Sequence, residues 1–179
     1  MYRVMMVCTG NICRSPMAEI VLRDKLTEAG LNSQCVVDSS GISDEEVGNP
    51  IDARARKVLE SAGYVGGDVD QHVASQFTAQ DLESHDLILT MTARHAAAAR
   101  RLAVRAGRPE LAQRVVMFRS FDPGMERRGI ADEEYSREYE YQLDVEDPWY
   151  GGMSDFEECL TSIERAVTGL VAHVREVSQ

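Results

Sequence analysis

Long apolar runs are missing from this chain of 179 residues, and none approaches the roughly 20 residues that a membrane-spanning helix requires. The start of the sequence also lacks the regions of a secretory signal peptide. Basic residues are outnumbered, because 19 Lys and Arg stand against 30 Asp and Glu, and the formal net charge is −11. This balance argues against general affinity for nucleic acid or for an anionic membrane. We therefore expect a cytoplasmic protein in which any anion site is local.

Cysteine and histidine are also scarce, with four residues of each. Four cysteines in a chain of this length favour reduced thiols over a disulfide scaffold. The sequence shows no closely spaced set of Cys and His ligands, so we expect neither a metal site nor a cofactor. Hydrophobic residues make up 44% of the chain, which is enough to form the core of one domain spanning residues 1–179.

Short apolar segments alternate with amphipathic segments along the chain. In four apolar segments, polar and apolar residues do not alternate. These segments predict strands that are buried on both faces, at 3–8, 35–39, 86–91 and 114–118. Helical periodicity separates these segments and is clearest at 156–177. The alternation predicts a single doubly wound α/β domain, with a four-stranded parallel sheet and helices on both faces.

Local signals predict where several of these elements begin. An Asn-Pro pair at 49–50 predicts the start of the second helix, and Ser154 with Glu157 predicts a capping box for the last helix. The segment 119–153 is too long for an ordinary connection, and long loops are often functional. Within it, the sequence DEEYSREYEY at 132–141 predicts a charged, exposed excursion.

The first predicted strand leads directly into the sequence CTGNICRSP. The five residues between Cys8 and Arg14 allow a loop to wrap one tetrahedral dianion with inward-pointing backbone N–H groups. A helix that begins near Ser15 adds the positive end of its dipole, and the planar guanidinium of Arg14 clamps two phosphate oxygens. In the positive electrostatic field of the helix and Arg14, Cys8 is predicted to be a thiolate. This thiolate is the predicted nucleophile that forms a phosphocysteine.

The other residues of this loop are predicted to bind the phosphate group of the substrate. Gly10 and Asn11 tolerate the left-handed backbone angles that such a loop needs. The hydroxyl of Ser15 is placed to donate a hydrogen bond to the sulfur and ease its departure in the second step. The predicted substrate-binding residues of the loop are Thr9, Gly10, Asn11, Ile12, Cys13 and Ser15.

The loop contains no carboxylic acid, although a phenolate leaves faster when an acid protonates it. Asp147, in the sequence VEDPWYGG, is the predicted general acid and base, since Pro148 stiffens the backbone beside it. Trp149 and Tyr150 are predicted to form one wall of a cleft for a phenyl ring, although packing of Tyr150 against the body is an equal alternative. Asp122 also precedes a proline but directly follows the fourth strand, so we expect a turn or a structural partner there.

The sequence VCTGNICRSPMAE at 7–19 resembles the signature of the low-molecular-weight protein tyrosine phosphatases. The resemblance continues in the family's order at 37–55, 71–77, 86–91 and 147–152, so it covers nearly the whole domain. It implies a flavodoxin-like fold of the phosphotyrosine protein phosphatase I type. It also implies hydrolysis of phosphotyrosine in proteins, with inorganic phosphate as a product and the Asp-Pro aspartate as general acid.

The resemblance also implies roles for residues around the loop. Ser39 and His72 match positions of a hydrogen-bond network that braces the anion loop, although His72 is equally consistent with a surface histidine. Cys13 is implied to trap an oxidised Cys8 as a reversible disulfide. Glu45 departs from the family, because it stands where relatives often carry the aromatic residue of the opposite wall. Its charge predicts a preference for substrates with basic flanks.

Two alternatives to a tyrosine phosphatase stay open at this point. Protein-arginine phosphatases share the scaffold, but resembling enzymes carry Thr where this chain has Ile12, and an apolar side chain favours an aryl ester. A non-catalytic phosphate-binding module would need neither the Cys8 thiol nor the Asp147 carboxyl. An arsenate reductase would need further thiols near the loop, and residues 71–93 contain no cysteine. Phosphotyrosine-containing proteins are therefore the predicted partners, and the sequence predicts no oligomeric state.

Overall fold

The computed structural model of the protein describes residues 1–125 and 136–178. Within these ranges four strands form one parallel sheet in the order β2-β1-β3-β4. The strands are β1 (Tyr2–Cys8), β2 (Cys35–Gly41), β3 (Leu87–Thr90) and β4 (Val115–Met117). Each strand lies where an unbroken apolar segment predicts one, so the predicted four-stranded parallel sheet is confirmed.

Helices follow the strands in alternation, as the periodicity predicts. They are α1 (Arg14–Glu28), α2 (Ala53–Ser61), α3 (Gly67–Gln71), α4 (Ala79–Ser84), α5 (Ala93–Arg105), α6 (Arg137–Gln142) and α7 (Met153–Val177). Short 3₁₀ helices are formed by Pro109–Arg114, Phe118–Phe121 and Pro148–Tyr150. No helix in the part of the chain that the structure describes is both long and apolar enough to cross a membrane.

Alternate side chains of β1 enter two separate hydrophobic cores. Val4 and Met6 pack with residues of α1, α2 and α7 on one face of the sheet. Met5 and Val7 pack with residues of α4 and α5 on the other face. Both faces of β1 are therefore buried, which explains why its sequence shows no alternation of polar and apolar residues. The prediction of helices on both faces is confirmed.

Two predicted helix starts were wrong. The side chain of Asp52 accepts a hydrogen bond from a backbone N–H of α2, so this helix begins three residues after the Asn-Pro pair at 49–50. The predicted capping box of Ser154–Glu157 is also displaced, because the backbone N–H of Gly152 donates to the carboxylate of Asp155 at 2.7 Å. In both places a neighbouring aspartate satisfies the free N–H groups of the first turn.

The long segment after β4 is partly helical. The predicted exposed excursion at 132–141 was wrong at Tyr139 and Glu140 of α6, which are buried, whereas Tyr141 is exposed as predicted. Tyr139 packs with the core beside α5, and a carboxylate oxygen of Glu140 lies 2.7 Å from Nη1 of Arg100. The first part of the excursion, residues 132–135, lies outside the described residues.

Candidate active site

The loop between β1 and α1 lies at the carboxyl edge of the sheet, where the strand ends at Cys8. Asn11 turns the chain with a φ of 60°, a left-handed value that asparagine tolerates. Its backbone N–H donates to Sγ of Cys8 at 3.3 Å, and the hydroxyl of Ser15 lies 3.0 Å from the same sulfur. All three residues are buried, so these two contacts fix the position of the sulfur inside the loop.

The side chain of Asn11 fixes the loop through both of its polar atoms. Its Nδ2 donates to Oγ of Ser15 at 2.9 Å and to Oγ of Ser39 at 2.8 Å. Its Oδ1 accepts from the backbone N–H of Ser75 at 2.9 Å. Nε2 of His72 donates to the backbone carbonyl of Asn11 at 2.7 Å, and burial lowers the pKa of His72. The structure thus brings Ser39 and His72 against the loop, as the family resemblance implies.

This network extends to a carboxylate that sequence reasoning missed. The hydroxyl of Ser39 donates to Oε2 of Glu19 on α1, and Oε1 of Glu19 lies 2.6 Å from Nη2 of Arg23. Glu19 is buried, and burial raises the pKa of its carboxyl group. The sequence did contain a signal for this residue, since Glu19 is acidic although its neighbours along the helix are apolar.

Arg14 enters the loop from the first turn of α1 and is almost completely buried. Its Nη1 donates to the backbone carbonyl of Val145 at 3.3 Å, and its Nη2 donates to Oγ1 of Thr9 at 3.3 Å. Nη2 also contacts Oδ2 of Asp147 at 2.5 Å. Nε of Arg14 is buried and has no hydrogen-bond partner among the described residues. This remaining donor suits an oxygen of a bound phosphate group.

Asp147 reaches the loop from a segment that lies 133 positions beyond Arg14 in the chain. The backbone N–H of Val145 donates to the carbonyl of Met91 at 2.8 Å, which ties this segment to the end of β3. Oδ1 of Asp147 accepts from the backbone N–H of Trp149 at 3.2 Å and so caps the 3₁₀ helix at Pro148–Tyr150. The other carboxylate oxygen is left to face Arg14. The sheet therefore brings the Asp-Pro segment to the edge where the anion loop lies.

Arg54 connects the two loops, and sequence reasoning missed it. Its Nη1 donates to the backbone carbonyls of Trp149 at 3.1 Å and Gly151 at 3.2 Å, and its guanidinium lies 5.3 Å from the centre of the Trp149 ring. Arg54 also pairs with Asp52 at 3.1 Å. The backbone N–H of Asp52 in turn donates to the carbonyl of Ile12. One arginine thus joins the anion loop to the segment that carries Asp147.

The segment after β2 forms the other side of the mouth. The backbone N–H of Ser43 donates to the carbonyl of Thr9 at 2.9 Å. Glu46 packs over Gly10 so closely that a Cβ atom on this glycine would lie 2.9 Å from Cγ of Glu46. The exposed side chain of Glu45 turns instead toward the hydroxyl of Ser43, at 3.5 Å. Of these two neighbours, Glu46, which sequence reasoning did not select, is therefore the one that packs against the loop.

The two aromatic residues after Asp147 lie at the surface. Trp149 is 41% exposed and stacks on Arg54, whereas Tyr150 is 92% exposed. Packing against the body, the alternative considered for Tyr150, therefore does not describe this side chain. Asp122, the rival Asp-Pro aspartate, is buried and lies 2.9 Å from Nη2 of Arg165. It is the structural partner that its position predicts.

Burial governs the protonation of the other three thiols. Cys13 lies buried in the loop, and burial, followed by the charge of Asp52, raises its pKa. Burial also raises the pKa of Cys35 to about 11 and that of Cys159 to about 12. These three groups are therefore protonated at neutral pH. Among the residues described, no group of three or more His, Cys, Asp or Glu side chains forms a metal-ion site.

The first strand of the parallel sheet ends in a cysteine, and the anion loop that follows contains an arginine that faces an aspartate. This arrangement defines the class of cysteine-dependent phosphatases. The chain belongs to the low molecular weight phosphotyrosine protein phosphatase family, whose model matches residues 3–179. The family expected from the sequence is therefore confirmed.

Individual relatives agree with this assignment. A low molecular weight protein-tyrosine-phosphatase of Streptomyces coelicolor is 42% identical over 175 residues, covering 98% of this chain and 94% of the relative. A low molecular weight phosphotyrosine protein phosphatase of Homo sapiens is 34% identical over 155 residues, covering 86% of this chain and 84% of the relative. The crystal structure of a low molecular weight phosphotyrosine phosphatase from Vibrio cholerae superposes with a TM-score of 0.79 and 28% identity, covering 100% of both chains.

Proposed function

We propose that this protein hydrolyses phosphotyrosine in proteins, with Cys8 as nucleophile, Arg14 as phosphate clamp and Asp147 as general acid and base. The observation that carries the proposal is the convergence of these three residues on one loop. Nη2 of Arg14 lies 2.5 Å from Oδ2 of Asp147, and the same loop holds Sγ of Cys8 at its centre. Nucleophile, anion clamp and acid are the groups that phosphoryl transfer through a covalent intermediate requires.

In the first step the phosphate group of the substrate enters the loop and is bound by backbone N–H groups and by Arg14. Its negative charge replaces the carboxylate of Asp147 as the partner of the guanidinium. Sγ of Cys8 then attacks phosphorus, and the bond between phosphorus and the tyrosyl oxygen breaks. Asp147, released from Arg14 and protonated from solvent beside the new negative charge, gives its proton to this oxygen, so that tyrosine leaves as a neutral phenol.

In the second step water hydrolyses the phosphocysteine. The carboxylate of Asp147 takes a proton from the water molecule as it attacks phosphorus, and the bond between sulfur and phosphorus breaks. Ser15 supports this step. Its oxygen already accepts from Nδ2 of Asn11, and the nearest acceptor for its own proton is Sγ of Cys8, at 3.0 Å. The hydroxyl thus stabilises the departing thiolate, and inorganic phosphate is the product.

The surroundings of the loop support an aryl phosphate as substrate. Trp149 is partly exposed beside Asp147, which suits a cleft for a flat ring. The relatives compared above are named as protein-tyrosine phosphatases, so a protein-arginine phosphatase and a non-catalytic phosphate-binding module are both disfavoured. Ile12 supports the same choice, since it offers no polar side-chain contact to a guanidinium.

Initial rates on three peptides test this function. The peptides share one sequence and carry phosphotyrosine, phosphoserine or phosphoarginine, and the assays contain no added metal ion. We expect rapid release of phosphate from phosphotyrosine alone and no release by the Cys8→Ser variant. Acid quenching of the wild-type reaction should trap a phosphocysteine on Cys8. Preferred cleavage of phosphoarginine, or activity that survives in Cys8→Ser, would overturn the proposal.

We also propose that the protein acts in the cytoplasm on phosphoproteins. All four cysteines are unpaired, as is usual for proteins of reducing compartments. The formal net charge of −11 supports protein substrates over nucleic acids or anionic membranes, both of which attract basic surfaces. Fractionation of cells that produce the protein, with immunodetection of the soluble and membrane fractions, tests this location.

A further inference from the structure

His95 is a buried histidine that the mechanism above does not use. It lies in the first turn of α5, and its Nε2 is 2.9 Å from Oγ1 of Thr9 in the anion loop. Its Nδ1 is buried and has no hydrogen-bond partner among the described residues. Burial lowers the pKa of His95 to about 3, and the positive charges of Arg14 and Arg94 act in the same direction. The imidazole is therefore neutral at physiological pH.

The hydrogen-bond partners determine which nitrogen of His95 carries the proton. A neutral imidazole has one N–H group, and a proton on Nδ1 would be a buried donor without an acceptor. A proton on Nε2 is instead donated to Oγ1 of Thr9. Because Nη2 of Arg14 donates to the same oxygen at 3.3 Å, Oγ1 accepts two hydrogen bonds. The hydroxyl of Thr9 is thus held from two sides.

We propose that His95 is a positioning residue, which fixes the guanidinium of Arg14 through Thr9 in the orientation that binds a phosphoryl group. The inference rests on the proposed function. When phosphate replaces Asp147 on Nη2 of Arg14, Oγ1 of Thr9 is the protein acceptor that this nitrogen keeps, and Nη1 keeps the carbonyl of Val145. His95 thus acts through Thr9 and not directly on the sulfur of Cys8.

Three substitutions separate this positioning role from simple packing. Thr9→Val removes the hydroxyl at nearly constant shape, and His95→Leu removes the donor while retaining most of the volume. His95→Gln places an amide N–H close to the position of Nε2. It is the conservative variant and should restore the hydrogen bond to Thr9. Because Thr9 is exposed, Thr9→Val is expected to fold even where a substitution of the buried His95 does not.

The measurements are kcat/KM on a phosphotyrosine peptide and the dissociation constant of inorganic phosphate determined by calorimetry. We expect Thr9→Val and His95→Leu each to lower kcat/KM by about tenfold and to weaken phosphate binding in parallel. The double variant should lose about tenfold rather than about a hundredfold, because both substitutions break one chain of hydrogen bonds. His95→Gln should retain most of the wild-type activity and affinity.

His85→Leu is the matched control. His85 is equally buried but bonds to Asp38 at 2.9 Å and to the carbonyl of Asp81 at 2.8 Å. Its loss should lower the melting temperature and leave kcat/KM unchanged. Multiplicative losses in the Thr9 and His95 double variant, or wild-type phosphate affinity in Thr9→Val, would overturn the positioning role. A wild-type protein that binds phosphate but does not hydrolyse phosphotyrosine would overturn the proposed function. The phosphate dissociation constants of the single and double variants would still test the positioning role.

Discussion

Arg14 and Asp147 are separated by 133 positions in the chain, yet Nη2 of the arginine and Oδ2 of the aspartate lie 2.5 Å apart. The contact holds the Asp-Pro segment against the anion loop. A phosphate dianion competes with the carboxylate of Asp147 for the guanidinium of Arg14. Substrate binding is therefore expected to release Asp147 from Arg14 and to leave it beside the negative charge of the phosphate. Negative charge nearby favours the protonated form of a carboxyl group. In the proposed mechanism this ion pair couples the arrival of the substrate to the availability of the acid.

Asp147→Asn should slow the hydrolysis of esters with poor leaving groups most. Asparagine cannot donate the proton that a phenolate needs, and general acids contribute about 10²–10⁴-fold. We expect a loss of about a hundredfold or more in kcat on a phosphotyrosine peptide, and a much smaller loss on an aryl phosphate with an activated leaving group. Asp122→Asn is the control, because Asp122 pairs with Arg165 away from the loop. Equal losses on both substrates in Asp147→Asn would contradict the acid role.

Arg54→Met should loosen the segment that carries Asp147. It removes the hydrogen bonds to the carbonyls of Trp149 and Gly151 and the pair with Asp52. We expect kcat on the phosphotyrosine peptide to fall by about tenfold or more, since a small displacement of a positioned group is costly. Arg56→Met provides the matched control on α2, because Arg56 bonds to Asp70 and not to this segment. Stopped-flow fluorescence of Trp149, the single tryptophan, can follow the mobility of the segment. Indistinguishable kinetics of the two variants would argue against the coupling.

Gly41→Ala should displace the anion loop although Gly41 carries no functional group. A Cβ atom there would lie 2.6 Å from the backbone oxygen of Thr9 and 3.0 Å from the backbone nitrogen of Asn11. Backbone atoms cannot move aside as a flexible side chain can, so the loop must shift. We expect weaker inhibition by inorganic phosphate and a lower kcat. Gly67→Ala, where the Cβ atom meets only the side chain of Gln71 at 3.4 Å, should behave like the wild type. Unchanged phosphate inhibition in Gly41→Ala would show that the loop tolerates the added atom.

The sequence allowed the anion loop to be predicted because its parts are adjacent in the chain. Cys8 and Arg14 lie at the two ends of one loop, and the apolar strand before it and the helix after it are local signals as well. Asp147 could be selected because the chemistry requires an acid and because an Asp-Pro followed by aromatics is a distinctive local pattern. The unbroken apolar segments likewise located all four strands of the sheet.

Residues that act through distant contacts could not be predicted in the same way. Arg54 is one of the two arginines of α2, and nothing local shows that its guanidinium reaches the carbonyl of Trp149. His95 has no partner pattern in the sequence, since Thr9 is 86 positions away. Glu45 and Glu46 are neighbours of the same type, and only the packing of Glu46 over Gly10 distinguishes them. In each case the tertiary structure, rather than the local sequence, determines the role.

Lowering the pH should destabilise the fold through His95. Burial, with the charges of Arg14 and Arg94, lowers its pKa from 6.5 to about 3. The unfolded state therefore binds more protons than the folded state between these two values, and the free energy of unfolding falls as the pH falls through this window. Between pH 7 and pH 5 the contribution of this group is about 1–2 kcal/mol.

Urea denaturation at several pH values measures this effect. His95→Gln, which has no titrating group at this position, should show a smaller change in the free energy of unfolding over the same range. His72, whose pKa burial also lowers, contributes in the same direction and is retained in both proteins. Identical pH dependence in the wild type and His95→Gln would show that His95 titrates normally in the folded state.

The acidic mouth of the site should select substrates by charge. Glu46 packs on Gly10, Asp44 and Glu45 are exposed beside it, and Glu146 is exposed next to Asp147. These carboxylates attract basic residues that flank a phosphotyrosine and repel acidic ones. We therefore expect a higher kcat/KM for a phosphopeptide with lysine on both sides than for one with glutamate, and added salt should reduce the difference by screening.

Glu46→Gln should narrow this preference by about threefold, mainly by improving KM for the acidic peptide. Its amide retains the shape that packs over Gly10 and can still contact Asn49, so the loop geometry is preserved while the charge is removed. Glu176→Gln removes an exposed charge near the end of α7 and is the control for net charge alone. Should the two variants shift the ratio of kcat/KM values equally, overall charge and not the mouth would set the preference. A basic-to-acidic ratio near one in the wild type would mean that these carboxylates do not meet the flanks of the substrate.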